Sequence, residues 1–229
     1  GELTSQNSTS QGLSSSGISG GITDPTVPGY LTSAYSSTGK SHSMSGTGSF
    51  HYAYGSKYIF DFTLRADGNT KFGSGNKWGF FPGISGRWNI SDEAFFEPLK
   101  KVVNMLAFSP GWGITGAAYF ADGLIYNKYS STGTYDGVTA IVPNNLRLTE
   151  IKWEKTKSWN LRFDLGLFND LLRFQVNVYN KKITDLLNSG VRIPSTTGFS
   201  SLSWANVGEM ENEGWELYVN TGNLFKVGK

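Results

Sequence analysis

Lys157–Thr184 reads KSWNLRFDLGLFNDLLRFQVNVYNKKIT, two runs of strict alternation on either side of a very short polar break. In the first run Trp159, Leu161, Phe163, Leu165 and Leu167 fall on one face, and Ser158, Asn160, Arg162, Asp164 and Gly166 on the other. The second run repeats the scheme, with Phe174, Val176 and Val178 against Arg173, Gln175 and Asn177. This is the pattern of a long β-hairpin turning at Asn169–Leu171. Each arm is about ten to twelve residues long, against roughly five or six for an ordinary soluble strand. At about 3.3 Å per residue and a tilt near 45°, such an arm rises roughly 25 Å, the height of the apolar band of an outer-membrane barrel.

Composition agrees with β structure. The chain has 229 residues, 29 of them glycine, with 14% aromatic and only 17% charged residues, a balance that favours turn-rich sheet over helix. Its net charge of +2 carries no sign of the basic surface that nucleic-acid binding requires. With no cysteine, disulfides, thiolate catalysis and cysteine metal sites are excluded. No apolar run reaches the roughly 18 residues of a membrane-crossing helix, and the N-terminal GELTSQNSTSQGLSSS is not a signal peptide. Insertion in a membrane therefore has to be as a barrel. A mean hydropathy of -0.29 is compatible with that, because barrel strands alternate and leave no hydropathy peak.

Outward from the hairpin, residues 1–43 are rich in Ser, Thr and Gly without sustained period and read as a long loop. Residues 44–229 read as about seven strands, an odd number that would not close a bacterial barrel. Phe50, Tyr52 and Tyr54, then Tyr58, Phe60, Phe62 and Leu64, mark two strands around the tight break Gly55–Ser56–Lys57. Ile84, Trp88 and Ile90 mark a third, and Ser91–Lys101 suits a short helical turn. A strand over Val102–Thr115 contains Pro110, which points to a bulge or an edge. About forty residues from Gly116 to Thr156, and then Asp185–Val207, show no long periodic run and read as loops. Trp215, Leu217 and Val219 mark the last strand. The connections alternate short and long, as short periplasmic turns and long extracellular loops do.

Motifs for chemistry are weak. Ala34–Ser41, AYSSTGKS, matches a loose phosphate-loop pattern with Lys40 as its lysine, but no strand-to-helix context surrounds it. Asp67 and Asn69 resemble the start of a calcium loop whose twelfth position is Trp78, where a glutamate is needed. His42 and His51 fit no zinc spacing. No cofactor, metal site or catalytic constellation is implied. Glu209, Glu211 and Glu213 would share one face of a strand, solvated or lining a cation path. Tyr119, Phe120, Tyr126, Tyr129, Tyr135 and Trp204 lie in the long loops, where aromatic faces could stack on a sugar or a peptide side chain, or else pack the loops together.

Several segments resemble SusC/RagA-type TonB-dependent outer-membrane transporters: TLRADGNTKFG, KWGFFPGISGRWNISDEAFF, GWGITG, IKWEKTKSWNLRFDLGLFNDLLRFQVNVYNKKITDLL, IPSTTGF and NVGEMENEGWEL, in the family's order. The resemblance implies an all-β, antiparallel section of a transmembrane barrel of about 22 strands, with the plug domain, TonB box and terminal strand not found in this sequence. It further implies import of an oligosaccharide or peptide through the outer membrane of a Bacteroidetes-type Gram-negative bacterium. The partners it implies are a SusD-like surface lipoprotein, the TonB complex and outer-membrane lipid. The alternative from the residues alone is a soluble β-sandwich that binds glycans, since a sandwich strand also hides one face and wets the other.

Overall fold

The computed structural model describes residues 1–16, 30–136 and 138–222. Its strands are β1 (Glu2–Ser16), β2 (Tyr30–Tyr54), β3 (Tyr58–Asn69), β4 (Trp78–Asn89), β5 (Val103–Ala117), β6 (Tyr129–Tyr135), β7 (Val138–Pro143), β8 (Glu154–Leu167), β9 (Leu172–Thr184), β10 (Leu187–Arg192), β11 (Ser201–Asn206) and β12 (Met210–Thr221). Eight of them form one antiparallel sheet in the order β1-β2-β3-β4-β5-β8-β9-β12, while β6-β7 and β10-β11 are separate two-stranded hairpins. Among the described residues β1 and β12 each have one strand neighbour in that sheet.

The pleat assigns the faces. Residues opposite one another on adjacent strands share a face, so the register carries a single pattern across the whole sheet. The row Phe62, Ile84, Trp112, Trp159 is continuous from β3 to β8, as is Phe108, Phe163, Val176, Leu217 from β5 to β12. All of these are apolar. The alternate rows hold Asp61, Ser85, Gly111, Asn160 and Tyr179, or Asp164 and Gln175. The hairpin that spans β8 and β9 thus has its expected faces, with Leu161, Phe163, Phe174 and Val176 beside Phe60 and Phe62, and Arg162, Asp164 and Arg173 beside Asp61 and Arg65. The apolar face is not covered: Phe163 is 45% exposed and Trp215 72%. A soluble sandwich would bury this face under a second sheet, and among the described residues none is paired or packed there.

Connections at one end occupy 55–57, 90–102 and 168–171, and those at the other 70–77, 118–153 and 185–209; lengths alternate as expected except that 90–102 is longer than 70–77. At the first short turn Gly55 and Ser56 both take positive φ (55° and 56°) and Lys57 N–H bonds Tyr54 O at 3.0 Å, the mirror-image turn that matches strand twist. The second is built of two 3₁₀ turns, Ile90–Asp92 and Ala94–Leu99, with no side-chain cap at either start. Glu93 between them folds back to accept from Lys57 Nζ at 3.1 Å, from Trp88 Nε1 at 3.2 Å and from the Tyr58 hydroxyl. These bonds, the tyrosine's first, hold the Glu93 carboxyl below its usual range.

Three expectations are corrected. Residues 1–43 are not a loop where described: β1 pairs with β2 from Glu2–Ser45 through Ser16–Tyr30, and this hairpin raises the main sheet to eight strands. Its Ser, Thr and Gly sequence shows no hydrophobic period, and the strand conformation is carried by backbone pairing. Pro110 is not at an edge. β5 lies between β4 and β8, its pairing with β8 runs through Pro110–Leu161, and its pairing with β4 is interrupted between Ser85–Gly111 and Trp88–Phe108, where proline has no N–H to give. The bulge falls elsewhere, between Val103 and Met105. Finally, the two longest connections contain the short hairpins β6-β7 and β10-β11, too short and too mixed in character to show a period.

The turn at 168–171 is held from outside. Phe168, Asn169 and Asp170 have φ of 53°, 56° and 65°, costly for side-chain-bearing residues although Asn and Asp tolerate it best. Asn104 of β5 offsets the strain with a reciprocal pair, its Nδ2 donating to Asp170 Oδ1 at 2.7 Å and its Oδ1 accepting from Asp170 N–H at 3.2 Å. Arg173, 2.8 Å away, and then Asn104 keep the Asp170 carboxyl below its ordinary range. Asn104→Ala is expected to speed exchange of the Asp170 amide roughly five-fold, the loss of about 1 kcal/mol of hydrogen bonding, as read by hydrogen-exchange mass spectrometry. Because the Asp170 pKa is lowered, the clamp is present at neutral pH and is lost as pH falls through that lowered value, so the same amide should exchange faster in acid than the pH dependence of its neighbours accounts for.

Candidate functional site

At the long-loop end, above the polar face, the connections build a core of their own. Phe72 from 70–77, Phe81 from β4, Phe120, Leu124, Ile151 and Trp153 from 118–153, and Leu187 from β10 pack as one buried cluster, with Leu148 and Trp204 against it. Phe72 is 0% exposed; its ring stacks on Trp153 at 4.5 Å and meets Phe120 edge-on at 4.9 Å. Trp153 donates its indole N–H to Asn76 O at 3.0 Å, and Lys71 joins Asp122 at 2.9 Å beside the cluster. Two glycines admit Phe81: a Cβ at Gly116 would come within 2.0 Å of its ring, and one at Gly79 within 2.4 Å. Gly73 lets the first loop touch the second, since a Cβ there would be 2.1 Å from Thr149 O.

The six loop aromatics divide. Phe120 is buried in the cluster and Trp204 packs on its edge, meeting Tyr119 at 6.1 Å and 75°. The Tyr119 hydroxyl donates to Glu154 Oε2, which also accepts from Leu187 N–H at 2.9 Å. That bond to the carboxylate, then burial, pushes the Tyr119 phenol up to about 12. Tyr126 and Tyr129 stand 65% and 62% exposed. Tyr135 ends β6, and its side chain lies outside the described residues. The residues that organise the loops, Phe72, Phe81, Ile151, Trp153 and Glu154, were not singled out from their chemistry. They do lie in the segments NTKFG, KWGFFPG and IKWEK that carry the family resemblance, which is the signal that could have found them.

Asn206 ties the two longest connections together. Its Oδ1 accepts from Lys152 N–H at 2.7 Å, while its Nδ2 donates to Lys152 O at 3.0 Å and Asp185 O at 2.8 Å. Beside this bracket a cavity of about 410 Å³ is lined by Arg147, Glu150, Lys152, Asp185, Trp204 and Asn206 among others. Mixed charge, amide and one indole face suit a ligand with many hydrogen-bonding groups.

Below the loops the polar face is a wall of donors and acceptors. Asp164, 6% exposed, takes Arg87 Nη1 and Arg162 Nη2 on one oxygen, each at 3.1 Å. His51 Nδ1 meets Asp61 at 2.6 Å and Arg65 meets Asp67 at 2.8 Å. Between them Gly83 lies opposite Gly113, a strip without side chains. The three glutamates do not line this wall. Glu211 pairs with Lys182 and Glu213 with Asn180 in the register that also places Trp215 on the apolar face, so they sit at that face's long-loop end, and Glu209 binds Lys182 Nζ at 2.7 Å. Lys40 lies within β2, with strand on both sides of it, which is not a phosphate loop. Asn69 accepts from Lys71 N–H at 2.9 Å, forming a turn.

A model of the family described as TonB dependent receptor-like, beta-barrel matches residues 3–228. The chain is 34% identical over 180 residues to the TonB-dependent receptor SusC of Bacteroides thetaiotaomicron, covering 76% of this chain and 18% of that protein. To the TonB-dependent receptor P39 of Formosa agariphila it is 37% identical over 168 residues, 73% of this chain and 16% of that one. The chain therefore spans less than a fifth of the length of these relatives. Among solved structures, the RagAB peptide transporter superposes with a TM-score of 0.71 at 23% identity, over 84% of this chain and 21% of the other. The shared fold, the continuous apolar face and the family match agree: this chain belongs to the TonB dependent receptor-like β-barrel family, of the SusC/RagA type.

Proposed function

We propose that the chain forms wall and outer loops of an energy-coupled importer in the outer membrane of a Bacteroidetes-type bacterium. The carrying observation is the sheet itself, apolar along one face and polar along the other, with short turns at one end and a packed loop core at the other. The apolar face meets lipid, the polar face meets the lumen, and the short turns lie in the periplasm. A backbone paired along most of the wall, the β4–β5 interruption at Pro110 apart, suits a medium without water to satisfy it.

The cargo is an oligosaccharide or a peptide. It is handed over by a SusD-like surface lipoprotein, and the TonB complex supplies the energy through parts of the protein other than this sheet. Support for the pairing is the likeness to SusC and to the RagAB peptide transporter. Tyr126 and Tyr129, exposed on the loops, offer aromatic faces to cargo or to the lipoprotein, as does Tyr119 at its exposed side, while Phe120 serves packing.

Phe163→Arg, on the lipid face, is expected to cost about 2 to 4 kcal/mol of barrel stability, whereas Asn160→Arg, on the lumen face, costs little. Heat-modifiable migration of membrane-extracted protein reads the difference, and equal effects of the two would overturn the assignment of faces. Tyr126→Ala combined with Tyr129→Ala should leave assembly unchanged but weaken capture of a SusD-like lipoprotein or of cargo by roughly ten-fold, two contacts of about 0.7 kcal/mol each. Phe120→Ala should instead lower the melting temperature of the outer loops, through a loss of about 3 kcal/mol or more from their core.

A further inference from the structure

Midway along the polar face the wall carries a depression that strand geometry does not require. Gly83 of β4 lies opposite Gly113 of β5, and Gly111, two residues along, lies opposite Ser85. None of the three glycines takes a positive φ. A Cβ on Gly83 would meet nothing within 4 Å, and one on Gly113 would sit in ordinary contact, 3.5 Å from Gly83 Cα. Both positions therefore accept a larger residue, although glycine weakens a strand and marks bulges, bends or the close approach of another molecule. No bulge accounts for them, because pairing on their outer sides, Thr63–Gly83 and Gly113–Ser158, runs on without a register shift. The space above them measures about 320 Å³ and is bounded on this face by Asp61, Thr63, Ser85, Ser158 and Asn160. Ile84 and Trp112, which also border it, belong to the apolar row of the opposite face.

The lining sets the chemistry of what fits. Peptide groups of the floor are engaged with the neighbouring strands, so Gly83, Gly111 and Gly113 present mainly Cα–H surface. Hydrogen-bonding groups stand at the rim, where the Asn160 amide lies across Gly111, whose Cβ would come within 2.5 Å of its oxygen. Among the described residues the side-chain bonds of this part of the face join His51 to Asp61, Arg65 to Asp67 and Arg87 to Asp164, and none engages Thr63, Ser85, Ser158 or Asn160. Those same bonds compensate the charges nearest the depression. A matching ligand therefore has a flat C–H face, neutral polar groups radiating around its edge and no net charge. A pyranose ring with equatorial hydroxyls has that form, and each hydroxyl both donates and accepts. An extended peptide would instead set alternate side chains against the floor and bring charges that find no partner there.

We propose that this depression is a transit subsite for a neutral oligosaccharide, one pyranose ring lying on Gly83 and Gly113 with its hydroxyls toward Thr63, Ser85, Ser158 and Asn160. The site rests on the reading of the polar face as the lumen wall, and it assigns this stretch of wall to sugar and not to peptide. It lies between the loop core, which begins at Phe81, and the Arg87–Asp164 pair nearer the short turns. No aromatic residue of the polar face borders it, so the ring is held weakly. Weak holding suits passage, because a site on a path must release what it binds.

The test uses the full-length protein in intact cells, with the photoreactive p-benzoylphenylalanine in place of Thr63. Cells are supplied with maltohexaose, xylohexaose or mannohexaose, or with a tryptic digest of casein, then illuminated, and the adduct is identified by mass spectrometry. A hexaose adduct is expected and a peptide adduct is not. Gly83→Leu in the same labelled protein fills the floor without a clash or a positive φ to strain. It should lower the hexaose adduct about ten-fold, equivalent to two lost hydrogen bonds, while heat-modifiable migration stays unchanged. Absence of a hexaose adduct, a peptide adduct of equal yield, or a hexaose adduct insensitive to Gly83→Leu overturns the subsite. So does reaction of the Thr63 label only with another segment of the same protein, which would make the depression a seat for that segment. The same label in place of Ile84, on the opposite face, separates these failures from a failure of the wall. Lipid adducts at Ile84 and not at Thr63 uphold the wall whatever the sugar does, and lipid adducts at Thr63 refute the wall and the subsite together.

Discussion

The rest of the structure depends on the coupling between strand pairing and the two-residue pleat. Backbone N–H and C=O groups must find partners, and in a sheet they find them on the neighbouring strand. Once a turn sets the register, every residue's face is set with it, and a slip of one position would exchange the faces of a whole strand. The tight turns at Gly55–Ser56 and at Phe168–Asp170 are therefore more than connections. They decide that Phe50 stands beside Phe62 and that Phe163 stands beside Val176. The strain accepted at 168–170, and the Asn104 bracket that offsets it, show how strongly the register is held at that end.

At the opposite end the physics changes. Loops of this length cannot be ordered by pairing alone, since the entropy of closing them has to be offset by contacts. Apolar packing supplies those contacts: Phe72, Phe120, Trp153 and Leu187 draw three separated connections into one small core, and Glu154 and Asn206 anchor the neighbouring backbone with directed bonds. Buried Phe120 next to exposed Tyr126 and Tyr129 gives one connection a packed base and a solvated surface.

Much of the wall was legible beforehand. Alternation over long arms, with Trp159 to Leu167 and Phe174 to Val178 in phase, reports a surface divided between two media, and the short-long succession of connections orients it. Where neither face is apolar the signal vanishes, which is why β1 and the upper half of β2 read as loop although their backbones are paired from Glu2 to Ser16. Pro110 misled for a related reason. Its missing N–H interrupts one ladder only, and a strand between two partners can lose a bond on the β4 side while the β8 side remains complete.

By itself, then, the amino-acid order determined the strands that carry an apolar face, the division into an apolar and a polar face, and the family, because these follow from local period and from segments of contiguous sequence. Tertiary structure alone decided which long loops meet, that Phe120 is core while Tyr126 is surface, that Glu211 and Glu213 lie on the outward face beside Lys182, and that glycines from different strands coincide to form a depression. Each of these depends on pairs far apart in the chain being brought into register, and no local periodicity encodes the distance between them.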